Sequence, residues 1–467
     1  MEGGVDRISN LPDDILVKIM SPLPAKTIVS TSILSKRWTH VWTEVTNLDF
    51  DESFFINIHR PKPEGVSTRI WLMMLKRNGR RRFVAFIHQT LLRYKRNQLS
   101  RFRLKYTYDG EHCFHISQWI NFVFKRGVQE LELDFINSHR YYEIPIGFFN
   151  YEGMTILKLS FCLLKQSNSF KIYSMLKSLH LNTMILTSDL LNEVIKNCFL
   201  LEDLHLEKCH NLSNIRILDP NLPLQSLSIR DCRILERGLI TNTPRLQFFE
   251  YFGRLIPFYM ELMPFVQHVE LDFEHELVLV NASEKLAKRL WYFNNTMELT
   301  VCSFFLQVLP TYKKLQSLPI TLIFLKHLTI KADLHRELPG IEFLLKVSPN
   351  LETLSIEMGK GRRNIGYSCP SGTQVSCFSQ NYWETKRAEF GCFAHNFKTM
   401  KINDFRGWKN ELQFIQYVLK NAIVLEKLII NITRKGVSDE YHSTLLVTAQ
   451  EIRDYPKASL HAEVLIQ

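Results

Sequence analysis

The sequence predicts an α/β protein in which three short N-terminal helices precede a solenoid with a parallel β-sheet, closed by a C-terminal block. Apolar residues recur every three or four positions between residues 11 and 45, which is helical spacing. From residue 45 onward, the pattern apolar-x-x-apolar-x-apolar returns many times. Its successive starts between residues 128 and 266 lie 20 to 26 residues apart, which is the period of a solenoid repeat.

Length and composition fit a globular repeat protein. The chain has 467 residues, of which 45% are hydrophobic and 22% are charged. It contains no apolar run long enough for a membrane-spanning helix, and its first residues lack the basic and apolar regions of a secretory signal. We therefore expect no membrane partner and a location in the nucleus and/or the cytoplasm.

No motif in the sequence predicts chemistry. The nine cysteines form no C-x-x-C pair, so a zinc site is not indicated. The chain lacks a G-x-S-x-G elbow, an H-E-x-x-H helix and a glycine-rich phosphate loop. The cluster Glu274-His275-Glu276 has no histidine or cysteine at ligand spacing, and we interpret it as surface. We therefore predict a protein that is not an enzyme, with no catalytic residue, no cofactor and no metal.

The opening segment predicts three helices. Pro12 suits the first turn of a helix, and Asp13 and Asp14 favour its positive end. We expect Ile15, Leu16, Ile19 and Met20 to form one apolar stripe, a second helix over 25–33, and a third helix carrying Trp38, Val41, Trp42 and Val45. So small a unit buries little surface, so another molecule or the next domain should cover part of it. A plain N-terminal cap on the following domain is the alternative.

Residues 1–45 resemble an F-box, and the stretch LSKRWTHVW resembles the end of the F-box in a large plant family. The resemblance implies docking on the adaptor subunit of a cullin-based SCF ubiquitin ligase. It implies adaptor contacts at Leu11, Pro12, Ile15, Leu16, Ile19, Leu23 and Pro24. It also implies that Trp38 and Trp42 divide their surface between adaptor contact and internal packing.

Residues 46–380 match the leucine-rich-repeat template. Its copies begin at Val45, Leu99, Val128, Met154, Leu176, Leu201, Leu224, Leu246, Val266, Leu325 and Leu351, with a degraded copy near Leu299 and Val301. We expect about 10 to 14 units. Cys162, Cys209 and Cys232 each lie eight residues after the start of a repeat, in the slot where a small buried group turns the chain.

The strand residues between the leucines are predicted to form a solvent-accessible binding face. They include Glu202, Asp203, His205, Glu207, Gln225, Ser226, Ser228 and Arg230. A solenoid presents such a face along its concave side, where a protein target can bind. The alternative is that these polar side chains only solvate the sheet.

Residues 357–381 have the composition of a loop, and residues 397–432 predict a strand, the helix Glu411–Asn421 and another strand. These elements add two repeats that cover the end of the stack. Residues 381–467 also resemble the FBD domain, which is recognisable in Trp383, Cys392, Phe405-Arg406-Gly407, Glu411-Leu412 and 419–426. The order F-box, leucine-rich repeats and FBD matches the plant family.

A basic segment accounts for the net charge of +11. The stretch from Arg69 to Lys105 contains 12 basic residues and no acidic residue. Phe83, Phe86, Tyr94, Phe102 and Tyr106 lie among these charges. Such interleaving occurs in some nucleic-acid surfaces, but we favour aromatic side chains that face the core and charges that face solvent.

Together these features predict a non-catalytic substrate-recognition subunit of an SCF ubiquitin ligase. Its partners would be the adaptor, a cullin through that adaptor, and a target protein held by the repeats. An adaptor-independent repeat scaffold and a basic nucleic-acid-binding protein remain as alternatives.

Overall fold

The computed structural model describes residues 8, 10–145, 148, 151–165, 174–232, 235–261, 263–273, 282–311, 320–359, 382–384, 386, 390–432 and 438–467. The cluster Glu274-His275-Glu276 and most of the loop predicted at 357–381 fall outside these residues. The chain forms two compact units, Met1–Leu212 and Ser213–Gln467. No helix in the described residues is both long and apolar enough to cross a membrane.

The N-terminal helices are confirmed. They are α1 (Asp13–Met20), α2 (Ala25–Ser30) and α3 (Trp38–Val41), and short 3₁₀ turns follow α2 and α3 at Thr31–Ile33 and Trp42–Glu44. Proline at the N-cap of α1 and again of α2 starts each helix without removing a needed hydrogen bond. The predicted second helix over 25–33 is therefore an α-helix that tightens into a 3₁₀ turn.

The first unit contains a parallel sheet with the strand order β1-β2-β3-β5-β7-β8. The strands are β1 (Asn47–Asp51), β2 (Arg101–Lys105), β3 (Glu130–Asp134), β5 (Ile156–Ser160), β7 (Ser178–Asn182) and β8 (Asp203–Glu207). The short strands β4 (Tyr142–Glu143) and β6 (Cys162–Leu163) pair with each other. Among its described residues, this unit also contains the helices α4 (Thr68–Arg93), α5 (Cys113–Phe124) and α6 (Ser188–Asn197).

The second unit repeats this plan. Its main parallel sheet contains β10 (Ser226–Arg230), β12 (Phe248–Gly253), β14 (His268–Phe273), β15 (Glu298–Cys302), β16 (His327–Lys331), β17 (Thr353–Glu357), β18 (Thr399–Asn403), β19 (Lys427–Asn431) and β20 (Glu463–Ile466). A smaller sheet pairs β9 (Ile215–Ile217), β11 (Leu239–Thr241) and β13 (Phe258–Met260). The helices are α7 (Ala282–Leu290), α8 (Ser303–Val308), α9 (Leu338–Val347), α10 (Gly391–His395), α11 (Lys409–Asn421) and α12 (Asp439–Glu451).

The apolar positions of the leucine-rich template form the core. Along β8, Leu204 and Leu206 are buried, whereas the residues on either side of them keep part of their surface. Parallel pairing brings Leu204 opposite Leu179 of β7, so that equivalent leucines stack in rows from repeat to repeat. The predicted copies from Val45 to Leu351 each supply a strand of this kind, including the degraded copy at Leu299 and Val301 in β15.

The number of repeats before the C-terminal block agrees with the expected 10 to 14, because twelve described strands within residues 46–380 occupy the repeat position. In the described residues, fifteen strands occupy the repeat position, six in the first unit and nine in the second. Of these strands, the sequence does not predict β20. Its pairing with β19 places Val464 opposite Leu428 and Ile466 opposite Ile430, so the position equivalent to Leu425 is His461, which is exposed and not apolar. Ser459, two residues before His461, is buried, and its hydroxyl donates to the Leu425 carbonyl oxygen at 2.6 Å.

A left-handed residue follows several strands and directs the next side chain inward. Phe161, Thr183, Lys208 and Asp231 have φ between 48° and 59°, although none of them is glycine. The residues that follow are Cys162, Met184, Cys209 and Cys232, and all four are buried. The predicted position of the three cysteines is therefore confirmed. Burial raises the pKa of Cys162 well above its ordinary value, which makes this thiol a poor nucleophile.

The C-terminal strand, helix and strand predicted over 397–432 are confirmed as β18, α11 and β19. Trp383 packs on Phe414 and Tyr417 of α11, with each pair of ring centroids 4.8 Å apart. This block continues the repeats. Its assignment to the FBD domain, and the division of the chain at residues 45 and 380, remain predictions.

Candidate functional site

The N-terminal helices are fastened together by Arg37. Its guanidinium lies 2.6 Å from a carboxylate oxygen of Asp13 in the first turn of α1, and it also donates to the Leu11 carbonyl oxygen. Thr31 fixes the other end of α1, since its hydroxyl lies 3.6 Å from the Met20 sulfur. The loop that joins α2 to α3 therefore lies against α1.

The predicted apolar stripe of α1 divides between two sides of the helix. Leu16 and Met20 are buried in the core of the first unit, whereas Ile15 is only half-buried and Ile19 is 50% exposed. The prediction that these four residues form one apolar stripe is therefore wrong, because only two of them face the core. Two adjacent apolar pairs on one helix span too wide an arc for every member to face inward.

Three of the residues for which the F-box resemblance implies adaptor contact lie in the core. Leu16 has no exposed surface, and Trp38 and Trp42 are nearly enclosed. Their packing holds α1 and α3 together. In this structure they therefore position the exposed side of these helices and do not belong to it. For both tryptophans, internal packing accounts for nearly all of the side chain.

The remaining residues with implied contact keep exposed surface. They are Leu11, Pro12, Ile15, Ile19, Leu23 and Pro24. The F-box has two further exposed apolar residues that sequence reasoning assigned to no site: Ile33, which is 86% exposed, and Leu34. The sequence signal for this pair was a short apolar run just before the polar stretch Ser35-Lys36-Arg37. We call these eight residues the outer patch.

The basic segment is neutralised where it enters the sheet of the first unit. On β2, Arg103 lies 3.2 Å from Asp49 of β1 and 2.9 Å from Glu132 of β3. Arg101 lies 3.2 Å from Glu130 and 3.3 Å from Glu132. Burial raises the pKa of Asp49, although Arg103 acts in the opposite direction. A basic strand between two acidic strands offers few free cations to a phosphate backbone.

The aromatic residues of the basic segment face inward. Phe83, Tyr94, Phe102 and Tyr106 are buried, and Phe86 is half-buried. The interpretation that these rings belong to the core is confirmed. Binding of single-stranded nucleic acid relies on exposed rings that stack on bases, so this segment lacks the required platform.

The repeat face is polar and largely self-paired. In the first unit, His180 contacts Asp203 at 2.6 Å, and its ring stacks on His205 with centroids 5.4 Å apart. In the second unit, Ser228 is buried and its hydroxyl donates to Glu250 at 2.6 Å, so its predicted solvent accessibility is wrong. The other predicted face residues keep part of their surface.

One group of carboxylates and a histidine has the compactness of a metal site. The ligand atoms of Asp109, Glu111 and His112 lie within 4.8 Å of one another. However, Asp109 accepts hydrogen bonds from Arg80 and from the amide of Glu111, and the cation of Arg80 disfavours a metal ion. The group is better explained as a turn that is held by an ion pair.

Comparison with known proteins agrees with this architecture. The family model for the F-box domain matches residues 8–49. The family model described as "At1g61320/AtMIF1, LRR domain" matches residues 91–467, which is most of the chain. The chain is also similar to several curated proteins of Arabidopsis thaliana.

Among these relatives, F-box/FBD/LRR-repeat protein At5g56420 is 26% identical over 475 residues, covering 98% of each chain. Putative FBD-associated F-box protein At3g50710 is 26% identical over 434 residues, covering 90% of each chain. Putative F-box/LRR-repeat protein At3g18150 is 27% identical over 439 residues, covering 91% of this chain and 86% of the relative. The exposed apolar helices and the leucine-rich sheet therefore have a common explanation: the chain belongs to the family of plant F-box proteins with leucine-rich repeats of the At1g61320/AtMIF1 type.

Proposed function

We propose that this protein is the substrate-recognition subunit of an SCF-type ubiquitin ligase. The F-box binds the adaptor and, through it, a cullin, while the repeat face binds a target protein. The observation that carries the proposal is the outer patch. A small helical unit with a well-packed interior nevertheless leaves Ile19, Ile33 and Leu34 exposed, as an interface awaiting a partner does.

The outer patch and the residues beneath it have different roles in the proposed interface. Pro12, Ile15, Ile19, Leu23 and Pro24 contact the adaptor, together with Leu11, Ile33 and Leu34. Leu16, Trp38 and Trp42 keep the backbone of α1 in position. This division follows from burial, because a side chain without exposed surface cannot be covered further by a partner.

The protein makes and breaks no bond itself in this proposal. Binding the adaptor at one end and a target along the repeats places the target's lysines at high effective concentration near a charged conjugating enzyme. The half-buried histidines, carboxylates and hydroxyls of the repeat face provide hydrogen bonds to that target, and the stacked leucines behind them keep the face rigid.

Adaptor binding by the full chain tests the proposal. We expect Ile19→Asp to weaken adaptor affinity by at least about thirtyfold in calorimetry, since hot-spot apolar contacts contribute about 2 kcal/mol or more. Because Ile19 is half exposed, the melting temperature should hardly change.

The matched control is Leu460→Asp, which places the same charge at an exposed leucine of the second unit. This control should bind the adaptor as the wild type does. Wild-type-like affinity of Ile19→Asp would refute the docking assignment and would leave the repeat scaffold as the better explanation.

A further inference from the structure

Three consecutive repeats of the second unit begin with the same turn. Just before each strand, the amide of a buried residue donates to the carbonyl oxygen three residues earlier, at 3.1 to 3.3 Å. The three bonds run from Val266 to Met263, from Thr296 to Phe293 and from Leu325 to Leu322. The turns that lead into β14, β15 and β16 are therefore equivalent, and they follow one another along the edge where the strands of the sheet begin.

Four large apolar side chains at these turns are exposed. Phe265 and Phe324 occupy the same position, directly before the buried residue, and are 60% and 51% exposed. Ile323 is 47% exposed, and Met297, which directly precedes β15, is 38% exposed. We call these four residues the apolar edge.

Backbone hydrogen bonds show that the apolar edge is continuous. The Met297 amide donates to the Gln267 carbonyl oxygen at 3.0 Å, and the Lys326 amide donates to the Met297 carbonyl oxygen at 2.9 Å. Phe265 lies two residues before Gln267, and Phe324 lies two residues before Lys326. Because neighbouring strands are about 4.8 Å apart, the two phenylalanines start about 10 Å from each other, with Met297 between them.

The apolar edge has the area of an interface centre. A large apolar side chain has roughly 150 to 200 Å² of surface, so the four together expose roughly 300 to 400 Å². A contiguous apolar patch of this size on a protein surface is often functional. A standard interface buries about 800 Å² per partner, of which slightly more than half is apolar. The apolar edge therefore supplies most of the apolar area that one copy needs in a dimer.

The charges around the apolar edge suit a second copy of the chain. The turn residues 263–265, 294–297 and 321–324 contain no charged side chain, so two copies can meet here without bringing like charges together. Arg245 directly precedes the first buried residue of the β12 repeat and takes part in no ion pair among the described residues. Glu352, directly before β17, pairs with Lys326 through Oε1 alone, at 3.1 Å. An anionic membrane would require cations beside the apolar side chains.

The positions of these two charges match a two-fold arrangement. Most protein dimers have a two-fold axis, so that each contact between the copies occurs twice. Strands β12 and β17 each lie two strands from β15. An axis beside Met297 therefore places Phe265 of one copy against Phe324 of the other, and Arg245 of one copy near Glu352 of the other.

We propose that the apolar edge is the interface of a homodimer with a two-fold axis beside Met297. The apolar side chains of the two copies cover one another, and Arg245 and Glu352 form an ion pair at each end of the interface. This inference goes beyond the proposed function, because the apolar edge belongs to the second unit whereas the outer patch belongs to the first.

Sedimentation velocity of the full chain over a range of concentrations tests the proposal. The buffer contains a reductant, so that the exposed Cys113 thiol does not link two copies covalently. The wild type should change from monomer to dimer as concentration rises. Phe324→Asp should weaken dimerisation at least about thirtyfold, because the dimer would bury a carboxylate without a partner. The matched control Tyr259→Asp changes a residue of β13 that is 58% exposed, and it should dimerise as the wild type does.

A charge exchange tests the two-fold arrangement. Arg245→Glu should weaken dimerisation about tenfold, because it places a carboxylate near Glu352 of the other copy. Adding Glu352→Arg to the same chain should restore most of the lost affinity. An Arg245→Glu variant that dimerises normally, or a double variant no better than Arg245→Glu, would overturn the inference.

Two further results would also overturn it. One is a wild type that stays monomeric at every concentration, and the other is a dimer that Phe324→Asp weakens no more than Tyr259→Asp does. Ile19→Asp separates the inference from the proposed function, since it should weaken adaptor binding and leave the dimer intact. If Ile19→Asp yields monomers, the outer patch is the dimer interface. If phospholipid vesicles bind the wild type but not Phe324→Asp, the apolar edge binds a membrane. Either result excludes the proposed dimer interface.

Discussion

At the scale of single residues, Glu411 combines burial with a hydrogen-bonded turn. Its carboxylate in the first turn of α11 accepts hydrogen bonds from the amides of Arg406 and Gly407 at 3.1 and 3.0 Å. Burial nevertheless raises the pKa of Glu411 to about 7, because the nearby amides and Arg406 compensate only part of the lost hydration. At a pH between these two values, about 4.5 and about 7, Glu411 is therefore protonated in the folded chain and ionised in the unfolded chain.

This raised pKa predicts a loss of stability as pH increases. Between the ordinary pKa of about 4.5 and the folded value of about 7, the folded state binds more protons, so the free energy of unfolding falls with rising pH. The contribution of this group is about 3 kcal/mol at most. Urea unfolding at pH 5 and at pH 7.5 should show a smaller difference for Glu411→Gln than for the wild type. Equal differences in the two proteins would contradict the assignment.

Single residues were predicted well from the sequence where the repeat sets the position. Cys162, Cys209 and Cys232 could be placed because counting from the repeat start leads to the buried slot. The sequence could not show which of Ile15 and Leu16 is buried. Both are apolar, and both fit the helical spacing of the predicted stripe. Which of them faces inward depends on how α1 packs against α3, and this packing is not contained in the pattern of α1 alone.

At the scale of elements, the left-handed residue that follows several of the strands has a measurable cost. Residues other than glycine lose roughly 1–2 kcal/mol in this conformation. At Lys208, φ is 48° and the side chain is exposed, with an ion pair to Glu207 at 2.8 Å. Lys208→Gly should therefore leave the free energy of unfolding unchanged or raise it by up to about 1 kcal/mol.

Lys177 provides the matched control for this prediction. It is exposed and pairs with Glu202 at 2.9 Å, but its φ is not positive. Lys177→Gly should lower the free energy of unfolding by about 0.5–1 kcal/mol, because glycine adds freedom to the unfolded chain. Equal losses for the two glycine variants in denaturant unfolding would show that the left-handed turn carries no strain.

Strands were located from the sequence wherever leucine or isoleucine marks the repeat. The strand β20 was missed because the exposed His461 stands where the template expects the first apolar residue of the repeat. Its place in the sheet comes from pairing with β19, where Leu428 lies opposite Val464. Backbone pairing with a neighbour is a long-range property that a local pattern does not contain.

At the scale of the whole molecule, free surface charge is the property that a single segment of the sequence predicts least well. The segment 69–105 contains no acidic residue, yet its arginines on β2 are paired. Their partners come from β1 and β3, which lie outside that window in sequence but next to β2 in the sheet. Free positive charge is thereby left on the exposed side of α4. The family and the order of F-box and repeats, in contrast, follow from motifs that are local in sequence.

The central claim is that the outer patch of the F-box binds the adaptor while the repeat face stays open for a target. Amide hydrogen exchange of the full chain, with and without saturating adaptor, tests it most directly. We predict slower exchange over 13–20 and 31–34 in the complex, and unchanged exchange in β16–β19. Unchanged exchange over 13–20 and 31–34, or slowing confined to the repeats, would contradict the claim.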